Sequence, residues 1–246
     1  MRKSIGPIKK KVIYFPPMKN TILVIDPFIK EPAEFALNTL SKLLRVVQTE
    51  NNLHSSHLEF FFPLSGKKSL RNFLSNTELY NDLIGVISLG SYANITDNLE
   101  WVNALGLDLK ELVIEKGIPF LGICFSHQLM AHIYNLKIDY VEGRDTLPYK
   151  KYNEFREISI IHPRLESIFP YKKFISMAKH EQEVKNCISL LEITCSSDNC
   201  SIEGLVHREY PAFSFQSHPE EFHSSEDGWN LLKSFLVFFH TYHDIK

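Results

Sequence analysis

Three short runs of this chain are apolar at nearly every position: Thr21–Ile25 (TILVI), Leu83–Leu89 (LIGVISL) and Pro119–Cys124 (PFLGIC). A strand with one face in water alternates apolar and polar residues. A short run without alternation belongs to a strand covered on both faces, which is the condition of a parallel sheet held between layers of helices. Segments of helical pattern separate these runs. From about Pro32 to Glu50, the residues Ala36, Leu40, Leu43, Leu44 and Val47 fall on one stripe. Ser69–Tyr80 and residues 97–116 also read as helix, the second broken near Gly106, with Gly117 as its stop and Pro119 barring continuation. His57–Phe62 reads as a further strand. Past Gln128 the texture changes. Glu154–Ile161, Lys173–Met177, Ile188–Thr194, Ile202–His207 and Ala212–Gln216 read as strands with little helix between them, so this half is expected to be partly antiparallel. Trp229–Phe239 closes the chain as a helix. The pattern predicts a three-layer α/β/α fold with a mostly parallel central sheet.

Composition narrows the function classes. With 27 Lys and Arg against 29 Asp and Glu, the net charge of −2 exerts no global pull on nucleic acid or an anionic membrane. No apolar run approaches the ~20 residues of a membrane helix. Basic residues gather at one end: Arg2, Lys3, Lys9, Lys10, Lys11 and Lys19 occur with no acid among the first twenty residues. That stretch reads as a solvated tail or an extra edge strand, so the expected organisation is a basic extension over 1–20 and a single domain over 21–246. It lacks the apolar core of a signal peptide. Cys124, Cys187, Cys195 and Cys200 form no C-x-x-C pair. They read as reduced thiols in a cytoplasmic protein.

The stretch Pro119–Ala131 (PFLGICFSHQLMA) runs a buried strand straight into a helix at Cys124. In an open α/β sheet, ligands bind at the carboxyl ends of strands. A helix N-terminus adds free N–H groups and partial positive charge, a setting that suits a thiolate. The N–H of Phe125 points where an oxyanion would form. Gly122 and Ser126, two residues to either side, leave room for the sharp turn, as in a nucleophile elbow with sulfur in place of oxygen.

A second stretch, Ala212–Glu221 (AFSFQSHPEE), carries His218-Pro219-Glu220 after a predicted strand. In extended backbone, residues two apart share a side. Pro219 holds His218 extended and fixes its own φ. Glu220 can then hold one imidazole nitrogen and leave the other for a nucleophile, the base-plus-orienter arrangement of a triad. The other histidines read as surface or core residues, His180 excepted. His127 and His132 do not share a helix face as paired ligands would, so neither a metal nor a cofactor is assigned.

Taken together these stretches resemble the class I, triad-type glutamine amidotransferases, and within them the free-standing GMP-synthase-like glutaminase domains. The family motif G-x-C-x-G-x-Q is matched by Gly122-Ile123-Cys124-Phe125-Ser126-His127-Gln128, with Ser126 in place of the second glycine. The H-P-E motif is His218-Pro219-Glu220. Met177–Val184 is similar to the family's S-H-x-D-x-V segment, and Ser88-Leu89-Gly90-Ser91-Tyr92 to its oxyanion turn. The resemblance implies a flavodoxin-like fold with Cys124 as nucleophile, His218 as base and then acid, and Glu220 as orienter. It implies an oxyanion hole from the N–H groups of Phe125 and of Gly90 or Ser91. Gln128 and the backbone around His180 would hold the substrate. That substrate would be L-glutamine or a γ-glutamyl compound, and the ammonia would pass to an acceptor on a separate synthase subunit. Two alternatives stand beside this. One is a γ-glutamyl peptide or amine hydrolase using the same triad. The other is a catalytically silent binding protein on this scaffold.

Overall fold

A computed structural model describes residues 20–29, 33–51, 56–65, 69–75, 78–141, 153–187, 190–221 and 226–245. The basic segment expected over 1–20 therefore lies outside the described residues, apart from Asn20. The elements run β1 (Thr21–Ile25), α1 (Glu34–Glu50), β2 (His57–Phe61), α2 (Leu70–Ser75), β3 (Leu83–Ser88), α3 (Glu100–Leu109), β4 (Phe120–Ile123) and α4 (Phe125–Ile133). They continue with β5 (Ile138–Tyr140), β6 (Asn153–Ile160), α5 (Pro163–Glu166), β7 (Lys173–Lys179), β8 (Gln182–Val184), β9 (Leu191–Ser196), β10 (Gly204–His207), β11 (Ala212–Phe215) and α6 (Glu226–Ile245).

Among the described residues, nine strands form one mixed sheet in the order β2-β1-β3-β4-β11-β10-β9-β6-β7. The strands from β2 to β11 in that order are parallel to their neighbours. From β11 onward each pairing is antiparallel. The apolar runs sit where their composition requires. β1, β3, β4 and β11 are buried at every position, and successive residues serve opposite faces. Ile22 and Val24 join the core built with α1 and α6, while Leu23 and Ile25 join the core built with α3 and α4. The parallel part of the sheet is thus covered on both sides, as expected. At Gly85 a Cβ would stand 2.4 Å from the Phe239 ring, so the glycine lets α6 lie directly on β3. No described helix is long and apolar enough to cross a membrane.

Two expectations about helices need correcting. The segment read as broken near Gly106 runs unbroken through it, and the irregularity is a π-helical turn over Lys110–Ile114. Gly106 serves close packing instead: a Cβ there would meet Ile133 of α4 at 2.7 Å. The helix expected over Ser69–Tyr80 is α2 followed, past two undescribed residues, by a 3₁₀ segment at Glu78–Asp82. A small antiparallel ribbon of β5 and β8 was not anticipated. It matters because β8 begins at Gln182, just past His180 and Glu181.

Candidate active site

Cys124 belongs to a strand and a helix at once. Its N–H donates to the Phe215 carbonyl at 2.8 Å, extending the β4–β11 ladder by one bond. Its carbonyl accepts from the N–H groups of His127 and Gln128 at 3.0 and 3.1 Å, which start α4. Serving both requires φ 50° and ψ −103°, a conformation that an L residue adopts only when its surroundings force it. The small neighbours have distinct reasons. A Cβ on Gly122 would come within 2.9 Å of the Ser126 carbonyl oxygen. Ser126 is wholly buried, and its hydroxyl donates to the Leu89 carbonyl at 2.7 Å while lying 2.7 Å from the Ser88 hydroxyl. The serine is a tie between α4 and the Ser88–Ser91 turn.

His218 arrives from the other side. β11 ends at Phe215, and the His218 N–H then donates to the Met177 carbonyl of β7 at 2.7 Å. Its Nδ1 lies 2.8 Å from Glu220 Oε1, and the ring also hydrogen-bonds the Cys124 side chain. All three groups are sequestered, with exposures of 5 % for Cys124, 9 % for His218 and 4 % for Glu220. Burial alone would depress the His218 pKa. The charges of Cys124 and Glu220, with their hydrogen bonds, outweigh it and hold the ring well above its ordinary value. The raised value favours the protonated ring beside the sulfur.

The remaining anticipated residues gather around this pair. The backbone of Gly90 is pressed against it: a Cβ there would lie 2.9 Å from His218 Cε1 and 3.6 Å from Cys124 Cβ. The Ser91 hydroxyl donates to Pro27 O at 2.7 Å and accepts from the Ala93 N–H, which pins the turn. Phe125 heads α4, its ring stacked on Trp101. Gln128 is buried, its amide nitrogen donating to Gln182 O at 2.6 Å and to Gln216 Oε1 at 3.3 Å. Cys124, Gln128, His180, Gln182 and the 91–94 segment enclose a cavity of about 180 Å³. A second cavity of about 280 Å³ lies on the far side of Gly90, over His218 and Glu220, walled by Phe28, Phe35 and Tyr92.

Two residues that sequence reasoning did not single out also belong here. The Gln216 amide reaches the Cys124 sulfur at 3.8 Å and links it to Gln128. Gln182 holds the cavity wall, accepting from the Ile95 N–H at 3.1 Å and donating to Thr96 Oγ1 at 2.6 Å. The position of Gln216, two before His218 on the same side of an extended segment, was a usable signal. Gln182 lies within the Met177–Val184 segment that carries the family resemblance, but its partners Ile95 and Thr96 lie in a distant loop that the segment does not indicate.

The model of the family described as glutamine amidotransferase class-I matches residues 103–238. Among curated relatives, a glutamine-hydrolysing GMP synthase subunit from Methanopyrus kandleri is 35 % identical over 119 residues, covering 48 % of this chain and 59 % of that protein. The protein of the same description from Methanocaldococcus jannaschii is 31 % identical over 126 residues, covering 51 % of this chain and 62 % of the relative. The matches thus span about three-fifths of those relatives' length. A solved structure of a putative GMP synthase subunit from Thermoplasma acidophilum superposes with a TM-score of 0.67 at 19 % identity, covering 92 % of this chain and 97 % of that one. The glutaminase domain of Trypanosoma brucei CTPS with bound acivicin superposes with a TM-score of 0.65 at 12 % identity, covering 91 % and 94 %. At those identities the two structures speak for the fold.

Proposed function

This chain belongs to the class I glutamine amidotransferases, and we propose that it hydrolyses the side-chain amide of L-glutamine at Cys124 and releases ammonia for an acceptor. In the first step the Cys124 sulfur attacks the γ-carbonyl carbon, and the carbonyl oxygen takes the negative charge. N–H groups of Phe125 and of Gly90 or Ser91 meet that oxygen. His218, oriented by Glu220, gives a proton to the departing nitrogen as the C–N bond breaks. Ammonia leaves and a γ-glutamyl thioester remains. Water then attacks the thioester carbon, losing its proton to His218. The C–S bond breaks, glutamate departs and the sulfur is regenerated. One oxyanion donor is typically worth ~10²–10³ in rate.

The observation that carries this reading is the buried contact between Cys124 and a His218 ring whose other nitrogen is 2.8 Å from Glu220. Proton transfer needs that order of nucleophile, base and orienter. The acceptor is assigned to a separate partner, because the relatives that match are described as subunits. The test is release of ammonia and glutamate from L-glutamine by the purified chain, with Cys124→Ala as control. Equal release by both proteins would sink the assignment.

A second reading rests on the 280 Å³ cavity beside His218 and Glu220. It is lined by His218, which would protonate the leaving group, and it has room for more than ammonia. γ-Glutamyl amines or peptides would then be the substrates. Assaying a γ-glutamyl peptide panel beside L-glutamine separates the two: peptide cleavage with glutamine untouched selects the hydrolase.

A further inference from the structure

We propose that His180, Glu183 and Cys200 form a binding site for a transition-metal dication, with zinc the best match. His180 follows β7, Glu183 lies in β8 and Cys200 lies between β9 and β10. Their spacing gave no metal signature. The fold nevertheless brings a ring nitrogen, a carboxylate oxygen and the Cys200 sulfur within 4.8 Å of one another. Ligand atoms about 2.0–2.3 Å from a tetrahedral zinc stand roughly 3.3–3.8 Å apart, so small side-chain rotations close the site.

A second observation points to a ligand. His180 is 6 % exposed, and neither of its ring nitrogens has a hydrogen-bond partner. Oε2 of Glu183 and Oε2 of the neighbouring, wholly buried Glu203 are also without partners. Buried polar atoms seldom remain so. The unpartnered atoms of His180 and Glu183 belong to the same cluster as the Cys200 sulfur. The charges agree. Glu183, Glu203 and a Cys200 thiolate would bring three negative charges. Arg156 contacts Glu203 at 3.4 Å and also serves Glu154 at 3.1 Å. Lys185 serves the other oxygen of Glu183 at 2.5 Å. A dication offsets that charge and takes the sulfur as thiolate.

The donor set selects the ion. One imidazole nitrogen, one carboxylate oxygen and one thiolate suit zinc or cobalt, while calcium and magnesium prefer oxygen alone. Three protein ligands leave the fourth position to water. The ion would bind the His180–Glu183 segment to the turn after β9. That segment carries Gln182, which holds the Ile95 backbone and the Thr96 side chain and receives the Gln128 amide. The metal therefore braces one wall of the cavity at Cys124.

The test is cobalt(II) titration of the full chain after chelator treatment, read by absorption spectroscopy, which does not depend on glutamine turnover. The expected result is one equivalent bound, with a thiolate-to-cobalt charge-transfer band and the intense d–d bands of a tetrahedral site, displaced by zinc. Cys200→Ser should remove the charge-transfer band, and His180→Ala should weaken binding at least tenfold. Cys124→Ala and Cys187→Ser should leave the spectrum unchanged. Absence of stoichiometric binding by the unaltered chain overturns the proposal. So does a band lost in Cys124→Ala and kept in Cys200→Ser, which would put the ion on the nucleophile and its base. Should His180→Ala fail to fold by circular dichroism, Glu183→Gln keeps the side chain's shape and should still weaken binding.

Discussion

The end of β4 and the start of α4 deliver Cys124, with one ladder bond to neighbouring β11, whereas His218 reaches the same point through a bond to β7 at the far edge of the sheet. Cys124, the proposed nucleophile, stands at the end of a parallel strand flanked by β3 and β11. Its strained φ of 50° is held by one ladder bond behind it and two helix bonds ahead. His218, the proposed base, lies past the end of β11, and the Met177 carbonyl of β7 fixes its N–H at 2.7 Å. On the proposed chemistry, the parallel half of the sheet presets where attack would occur, and the antiparallel half, with its loops, would set the proton chemistry and the cavity wall formed by His180 and Gln182. Damage in the first half should act through backbone geometry, and damage in the second through protonation and substrate fit.

The sharpest probes of that division remove the reacting groups. Cys124→Ala should cut glutamate release on the order of 10⁶-fold, and His218→Asn nearly as much, because such residues act as a unit. Glu220→Gln should lose about 10⁴-fold, since it leaves the ring in place and spoils only its tautomer and charge. A Glu220→Gln loss equal to that of Cys124→Ala would mean that Glu220 does more than orient.

Gly90→Ala probes the boundary between the halves. Its new methyl would meet His218 Cε1 at 2.9 Å and push the base from the sulfur, for which about a 10²-fold loss is expected. Steady-state assays should show the loss in kcat with the melting temperature little changed. A fall in stability with activity retained would show that the turn has no bearing on the reacting pair.

Ser126→Ala should be milder and should act through the parallel half. It removes the hydroxyl that meets Leu89 O and Ser88 Oγ at 2.7 Å. The buried carbonyl then loses its partner, a destabilisation of about 1–3 kcal/mol, measurable by urea unfolding. An unchanged midpoint would mean that the tie contributes nothing.

The smallest effect is a pH dependence of stability. The folded-state pKa of His218 is raised above its unfolded value of about 6.5. Its contribution is therefore complete below about pH 6.5 and is lost as pH rises through the raised value. Burial, which opposes the charge, persists in Cys124→Ala while the charge of the sulfur does not. The alkaline fall in melting temperature should accordingly flatten in that variant, and an identical profile would remove Cys124 from the cause of the shift.

What could be read from the sequence divides along the same line. TILVI, LIGVISL and PFLGIC are apolar without alternation because both faces of those strands are covered, and that fact is local. The motifs around Cys124 and around His218-Pro219-Glu220 are local as well, and the fold brings the three residues together. The Met177 clamp on His218 and the β5–β8 ribbon join segments far apart in the chain, so no short pattern records them. Gly106 misleads for the same reason. Its neighbour is Ile133 of another helix, and a glycine that permits close packing looks in sequence like one that ends a helix.

The central claim, that Cys124 is the nucleophile, is tested most directly by treating the intact chain with a glutamine-mimicking alkylator and mapping the adduct by peptide mass spectrometry. Exposure alone would direct labelling to Cys187, which is less buried than Cys124. The account predicts a single adduct on Cys124, formed much more slowly in His218→Asn and accompanied by loss of glutamine hydrolysis. Labelling of Cys187 with Cys124 untouched, while glutamine hydrolysis continues, would contradict it.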